Sequence, residues 1–86
     1  MIRGKVKEFE FEIDEAVLDD IEFLELLGEA DENILLMPKV AEQLLGKDQK
    51  KALYEHLRGE NGRVKTSEVS EILLQIINSI PESGKN

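Results

Sequence analysis

The chain of 86 residues contains no cysteine, no tryptophan, two prolines and one histidine. The absence of cysteine excludes a disulfide framework and any thiolate nucleophile or metal ligand. No apolar run reaches the roughly 18–20 residues of a membrane helix, and the first residues lack the apolar core of a signal peptide. We therefore expect a cytoplasmic protein without membrane contact, forming a single domain over residues 1–86.

Basic residues are scarce in the first half of the chain. Residues 1–36 carry 3 basic and 12 acidic side chains, whereas residues 37–86 carry 8 basic and 7 acidic ones, which together give the net charge of −8. An acidic surface repels nucleic acid and favours basic partners, although acidic charge also serves solubility alone. We expect no nucleic-acid binding.

Residues 7–13 alternate between charged and apolar side chains. Phe9, Phe11 and Ile13 share one face of a predicted strand, and glutamates occupy the other face. Ile2 and Arg3 could supply a short strand before it, and Gly4 and Lys5 a turn, which predicts a strand or hairpin over residues 1–13. Its open edge would also accept a second copy of the chain, so a homo-oligomer is one assembly that we consider.

Residues 14–30 have helical periodicity. Asp14 suits the N-cap position, and Asp19 followed by Glu22 offers a second start. The apolar stripe that is predicted to face the core comprises Val17, Ile21 and Leu24, widened by Phe23 and Leu27.

Leu26 departs from this stripe. At 3.6 residues per turn it falls opposite Val17, between Asp19 and Glu22. An isolated exposed leucine is common on protein surfaces and needs no function. The alternative is an apolar anchor surrounded by acids, so the candidate partner-binding residues are Asp19, Asp20, Glu22 and Leu26.

Two further helices are predicted before residue 59. Residues 32–37 form either a short helix with a break or a loop, because the residue before Pro38 is biased away from helical backbone. A helix then runs from Pro38 to Leu45 and ends at Gly46, and another follows over residues 49–58.

The segment between Leu57 and Glu68 resembles part of an EF-hand loop. Asn61, Gly62 and Glu68 occupy positions 5, 6 and 12 of that pattern. Positions 1 and 3, which supply carboxylates in an EF-hand, are Leu57 and Gly59 here. We therefore interpret the segment as a degenerate EF-hand-like helix–loop–helix with no metal site.

A last helix is predicted from Thr66 or Ser67 to about Ile80, with residues 81–86 as a frayed tail. The predicted fold class is thus mainly α with a small N-terminal β-strand or hairpin (α+β). The chain would form one compact four-helix domain whose helical part spans residues 14–80. The apolar face of the last helix comprises Val69, Ile72, Leu73, Ile76, Ile77 and Ile80.

No catalytic constellation is visible in the sequence. His56, the one histidine, has no cysteine and no second histidine with which to form a metal site, and no serine is set up beside it as a nucleophile. We interpret His56 as structural and predict a non-enzymatic protein without a cofactor.

The order of motifs over residues 7–80 resembles that of phage and prophage tail assembly chaperones of Gram-positive bacteria. The segments that carry the resemblance follow the acidic strand and precede the closing helix: Asp19-Asp20-Ile21-Glu22, Leu44-Leu45-Gly46, residues 54–58 and residues 60–64. The resemblance implies a non-enzymatic protein in the bacterial host cytoplasm. It would bind the tape measure or tail tube protein during tail morphogenesis, and a longer form is often made by ribosomal frameshifting. The alternative is a generic acidic helical adaptor or regulatory domain that binds a partner peptide.

Overall fold

The computed structural model describes residues 1–79. They form a mainly helical fold with an N-terminal antiparallel hairpin, which confirms the predicted fold class at this level. The expected end of the last helix at Ile80 and the expected tail over residues 81–86 lie outside the described residues. The elements are β1 (Ile2–Val6), β2 (Phe9–Ile13), α1 (Ile21–Glu32), α2 (Met37–Leu57) and α3 (Thr66–Ser79), with 3₁₀ turns at Glu15–Asp19 and Ile34–Leu36.

The alternation predicted for β2 is confirmed. Phe9, Phe11 and Ile13 are buried, and the intervening glutamates point to the other face of the hairpin. Gly4 in β1 lies opposite Phe11, and a Cβ added at Gly4 would lie only 2.6 Å from Cζ of that ring. The ring therefore covers the glycine, and its position depends on the missing side chain.

The turn of the hairpin lies later in the chain than predicted. β1 continues through Gly4 and Lys5, and the chain reverses at Lys7 and Glu8, which have φ of 50° and 69°. Two consecutive left-handed residues are what a two-residue hairpin of right-handed twist requires. The prediction of a turn at Gly4 and Lys5 is therefore wrong.

Within residues 1–79, three α-helices replace the four that were predicted. The two helices expected on either side of Gly46 are the halves of α2, which is kinked at this residue. Gly46 has φ 84° and ψ 165°, a conformation that essentially only glycine adopts. The helical backbone is thus interrupted at Gly46, and the two halves of α2 meet there at a kink.

Gln49 attaches the hairpin to α2. Its side-chain oxygen accepts the backbone N–H of Glu12 at 2.7 Å, and its amide nitrogen donates to the Glu12 carbonyl at 2.6 Å. The same nitrogen donates to the Leu45 carbonyl at 2.7 Å. One side chain therefore closes the outer edge of β2 at Glu12 in the way that a neighbouring strand would.

The core is formed mainly by the hairpin, α2 and α3. Of the apolar face predicted for α3, Ile77 is half-buried, and the four residues named before it are buried. α1 contributes Phe23 and Ala30 to the core, each of them 3% exposed. The buried residues are Val6, Phe9, Phe11, Ile13, Phe23, Ala30, Val40, Ala41, Leu44, Leu45, Leu53, Val69, Ile72, Leu73 and Ile76.

Candidate protein-binding surface

The start of α1 decides which of its side chains reach solvent. Asp14 caps only the 3₁₀ turn, where its carboxylate accepts the N–H of Ala16 at 3.0 Å. Asp20 then adopts an extended conformation (φ −109°, ψ 114°), and its carboxylate accepts the N–H of Glu22 at 2.9 Å. Asp20 is therefore the N-cap of α1, and the helical phase restarts at Ile21.

This restart makes the predicted buried stripe wrong for two residues. Ile21 is 67% exposed and Leu24 is 52% exposed. The stripe assumed an uninterrupted helix from Asp14, but the extended backbone at Asp20 disconnects Val17 from the residues that follow. The side of α1 that faces the core instead carries Phe23 and Ala30.

We call Ile21, Leu24 and Gly28 the outer face of α1. At 3.6 residues per turn, the three positions fall within about 60° of one another and lie opposite Ala30. No atom lies within 4 Å of the point where a Cβ of Gly28 would be. The outer face thus consists of two apolar side chains followed, at Gly28, by backbone that no side chain covers.

A second exposed apolar pair follows α1. Ile34 is 52% exposed and Leu35 is 81% exposed, both in the 3₁₀ turn that joins α1 to α2. The Asn33 side chain accepts the N–H of Leu35 at 3.1 Å, so hydrogen bonding holds this turn. Four large apolar side chains are therefore exposed between residues 21 and 35, two near the start of α1 and two in the turn after its end.

The same stretch has charges of only one sign. Residues 14–36, which we call the front segment, contain nine acidic residues and no lysine or arginine. Within residues 1–79, the ion pairs all involve acids outside this segment. The acids of the front segment are Asp14, Glu15, Asp19, Asp20, Glu22, Glu25, Glu29, Asp31 and Glu32.

The structure separates the four predicted partner-binding residues into different roles. Asp19 and Glu22 are exposed on either side of the helix start, and the half-buried Asp20 is occupied as the N-cap. Leu26 is half-buried and packs against the core, so its predicted exposure as an anchor is wrong. The physical reason is again the helical phase, which places Leu26 beside Phe23 and not opposite the core.

The sequence-based reasoning missed the apolar residues that are exposed on this surface. The signal that would have identified Ile21 and Leu24 is Asp20 as N-cap, because a helix that begins at Ile21 has its apolar periodicity centred on Phe23 and Ala30. No periodic signal marks Ile34 and Leu35, since their 3₁₀ turn is only three residues long.

The hydrogen bonds of the loop between α2 and α3 are not those of a calcium-binding EF-hand loop. The Asn61 side-chain oxygen accepts the N–H of Arg63 at 2.9 Å, and Arg58 donates to the Gly62 carbonyl at 2.8 Å. The Gly59 N–H donates to the Arg63 carbonyl at 2.9 Å. The helix–loop–helix is present, but its loop is closed by its own hydrogen bonds and by an arginine, so the EF-hand comparison is not supported.

His56 contacts the hairpin. Its Nε2 lies 3.0 Å from the Lys7 carbonyl oxygen, and its ring centroid lies 5.7 Å from that of Phe9. Over residues 1–79, no three histidine, aspartate or glutamate side chains are grouped so as to hold a metal ion. None of the helices in the described part of the chain is both long and apolar enough to cross a bilayer.

Comparison of the chain with protein-family models, with curated proteins and with solved structures found no match.

Proposed function

We propose that this protein is a non-enzymatic tail assembly chaperone of a phage or prophage that binds the tape measure or tail tube protein during tail morphogenesis. The observation that carries the proposal is the exposure of Ile21, Leu24, Ile34 and Leu35 within a segment whose charged side chains are all acidic. The order of motifs over residues 7–80 points to the same role.

A chaperone of this kind needs two physical properties that the front segment combines. Exposed apolar side chains bind apolar surface of an unassembled partner and shield it from aggregation. A surplus of acidic charge keeps the complex soluble and draws basic segments of the partner towards it. The surface has a fixed support, because the Phe23 side chain on the other side of α1 is buried in the core.

The test is co-expression of the protein with the tape measure and tail tube proteins encoded in the same phage or prophage genome. Complexes are measured by affinity capture and by size-exclusion chromatography with light scattering. We expect wild type to keep tape measure segments soluble and to elute with them. A variant with Ile21→Ser and Leu24→Ser should lose this complex.

Leu74→Ser is the matched control. Leu74 lies on α3, outside the front segment, and is 57% exposed, which is close to the exposure of Leu24. The Leu74→Ser variant should therefore still form the complex. Failure of wild type to associate with either tail protein overturns the proposed role. Capture of an unrelated peptide partner by the same surface would then support the adaptor function.

A further inference from the structure

We infer that the outer face of α1 binds one amphipathic helix of a partner protein whose apolar stripe is flanked by lysine or arginine. This inference rests on the protein-binding part of the proposed function and specifies the chemistry of the bound segment. It does not depend on which tail protein supplies that segment.

The shape of the outer face fits a helix. Ile21 and Leu24 lie one turn apart and form a ridge, and Gly28 lies one turn beyond, where the surface drops to the backbone. Two helices pack when the ridges of one enter the grooves of the other. A partner side chain therefore has room over Gly28, while its neighbours contact Leu24 and Ile21.

The length of α1 sets the length of the contact. The helix has 12 residues, which corresponds to about 18 Å at 1.5 Å per residue. A bound helix of similar length presents apolar side chains at i, i+3 or i+4, and i+7 to this face, the pattern of helices that dock in grooves.

The charges around the outer face specify the sign of the partner. On the helical wheel, Glu25 borders the apolar strip on one side and Asp31 borders it on the other, with Glu32 at its C-terminal end. All three are exposed, and α1 contains no basic residue. Lysine or arginine on the flanks of a bound helix would lie beside these carboxylates.

The same charges argue against a second copy of the chain as the occupant. Two outer faces in contact would bring the acids of both α1 helices together with no basic residue from either α1. Like charges across an interface disfavour association. The charge pattern therefore disfavours self-association through α1.

The experiment measures binding of fluorescently labelled peptides by anisotropy. The first peptide has about 18 residues, long enough to form an isolated helix, and contains leucine at helical spacing and lysine elsewhere. The second has the same composition with the leucines spaced so that no apolar face forms. The third replaces lysine with glutamate. We expect the protein to bind the first peptide, to bind the second much more weakly and not to bind the third.

Protein variants locate the binding surface. The Ile21→Ser/Leu24→Ser variant should bind the first peptide about tenfold more weakly or worse, as expected when two apolar anchors are lost. Leu74→Ser should bind it as wild type does. A variant with Glu25→Gln and Asp31→Asn should bind it several-fold more weakly and show a smaller dependence of affinity on salt.

Three results would overturn the inference. Equal binding of the first two peptides would mean that net charge alone attracts them. Unchanged binding by the Ile21→Ser/Leu24→Ser variant would place the site elsewhere. Unfolding of that variant, measured by circular dichroism, would mean that these side chains are core and not a surface.

The two proposals fail separately. Peptide binding without tape measure or tail tube binding retains the surface and removes the tail assembly role. Tail protein binding that survives Ile21→Ser/Leu24→Ser retains the role and removes the surface.

Discussion

α1 and α3 are both amphipathic helices, yet they bury different shares of their apolar side chains. α3 buries Val69, Ile72, Leu73 and Ile76 between the other elements of the fold. α1 buries only Phe23 and Ala30, and two of its large apolar side chains face solvent. Periodicity therefore identifies an amphipathic helix, whereas the residue at which the helix starts and the elements around it decide which apolar side chains are covered.

The two parts of the chain also differ in how acids are balanced. We call residues 37–79 the back segment. Here the Nζ of Lys50 lies 2.8 Å from Oε1 of Glu42, and Nη2 of Arg58 lies 2.9 Å from Oε2 of Glu55. The front segment contains no basic residue at all. Acids of the back segment are therefore paired with nearby bases, whereas the nine acids of the front segment form no ion pair within residues 1–79.

The largest predicted effect compares one substitution in the two helices. Leu73→Ala removes a side chain that is 1% exposed, and we expect it to lower the free energy of unfolding by about 2–5 kcal/mol. Leu24→Ala should change it by no more than about 0.5 kcal/mol, because Leu24 is already in contact with water. Urea denaturation followed by circular dichroism measures both.

Equal losses for Leu24→Ala and Leu73→Ala would remove the contrast between the helices. They would place Leu24 in the core and contradict the outer face of α1 as a binding surface.

The sequence predicted the parts of the fold in which local pattern and packing agree. The alternating pattern around Phe11 fits only a strand, and the apolar face around Ile72 fits only a helix. The apolar side chains of both are buried as expected. The start of α1 had several solutions, because Asp14, Asp19 and Asp20 all have side chains that cap helices. Only the packing of the whole chain selects Asp20, and that choice decides the candidate site.

Long-range contacts were outside the reach of sequence patterns. Gln49 binds the backbone of Glu12 across 37 positions of the chain, and nothing in either local sequence indicates this pairing. Gln49 also donates to the Leu45 carbonyl at 2.7 Å, so it links the two halves of α2 across Gly46 as well as the hairpin.

The second predicted effect compares two glycines. Gly46→Ala places a side chain on backbone with φ 84°, and we expect a loss of about 1–3 kcal/mol in the free energy of unfolding. Gly28 lies in regular helix with open space around it, so Gly28→Ala should stabilise by about 0.5–1 kcal/mol. Thermal and urea midpoints measure both. A stabilising Gly46→Ala would show that the kink in α2 is not required.

The smallest predicted effects compare two glutamates, Glu42 over pH and Glu25 over salt concentration. The hydrogen bond from Lys50 holds the pKa of Glu42 below its ordinary value, and the hydrogen bond to Glu42 raises the pKa of Lys50. A carboxyl with a lowered pKa stabilises the folded state above its unfolded pKa, and this contribution is lost as pH falls through the folded pKa. We expect Glu42→Gln to lower the thermal midpoint slightly at pH 7 and the difference from wild type to shrink well below about pH 4.3.

Glu25→Gln should act in the opposite direction. Glu25 lies three residues from Glu22 and four from Glu29, so its charge repels both along the exposed side of α1. Its removal should raise the midpoint slightly at pH 7 and in low salt, and the gain should fade in high salt as screening weakens the repulsion. A destabilising Glu25→Gln would mean that the front segment is balanced within the chain, and the charge argument for a basic partner would fail. A stabilising one would mean that the isolated protein tolerates repulsion that a lysine-flanked or arginine-flanked helix on the outer face would relieve.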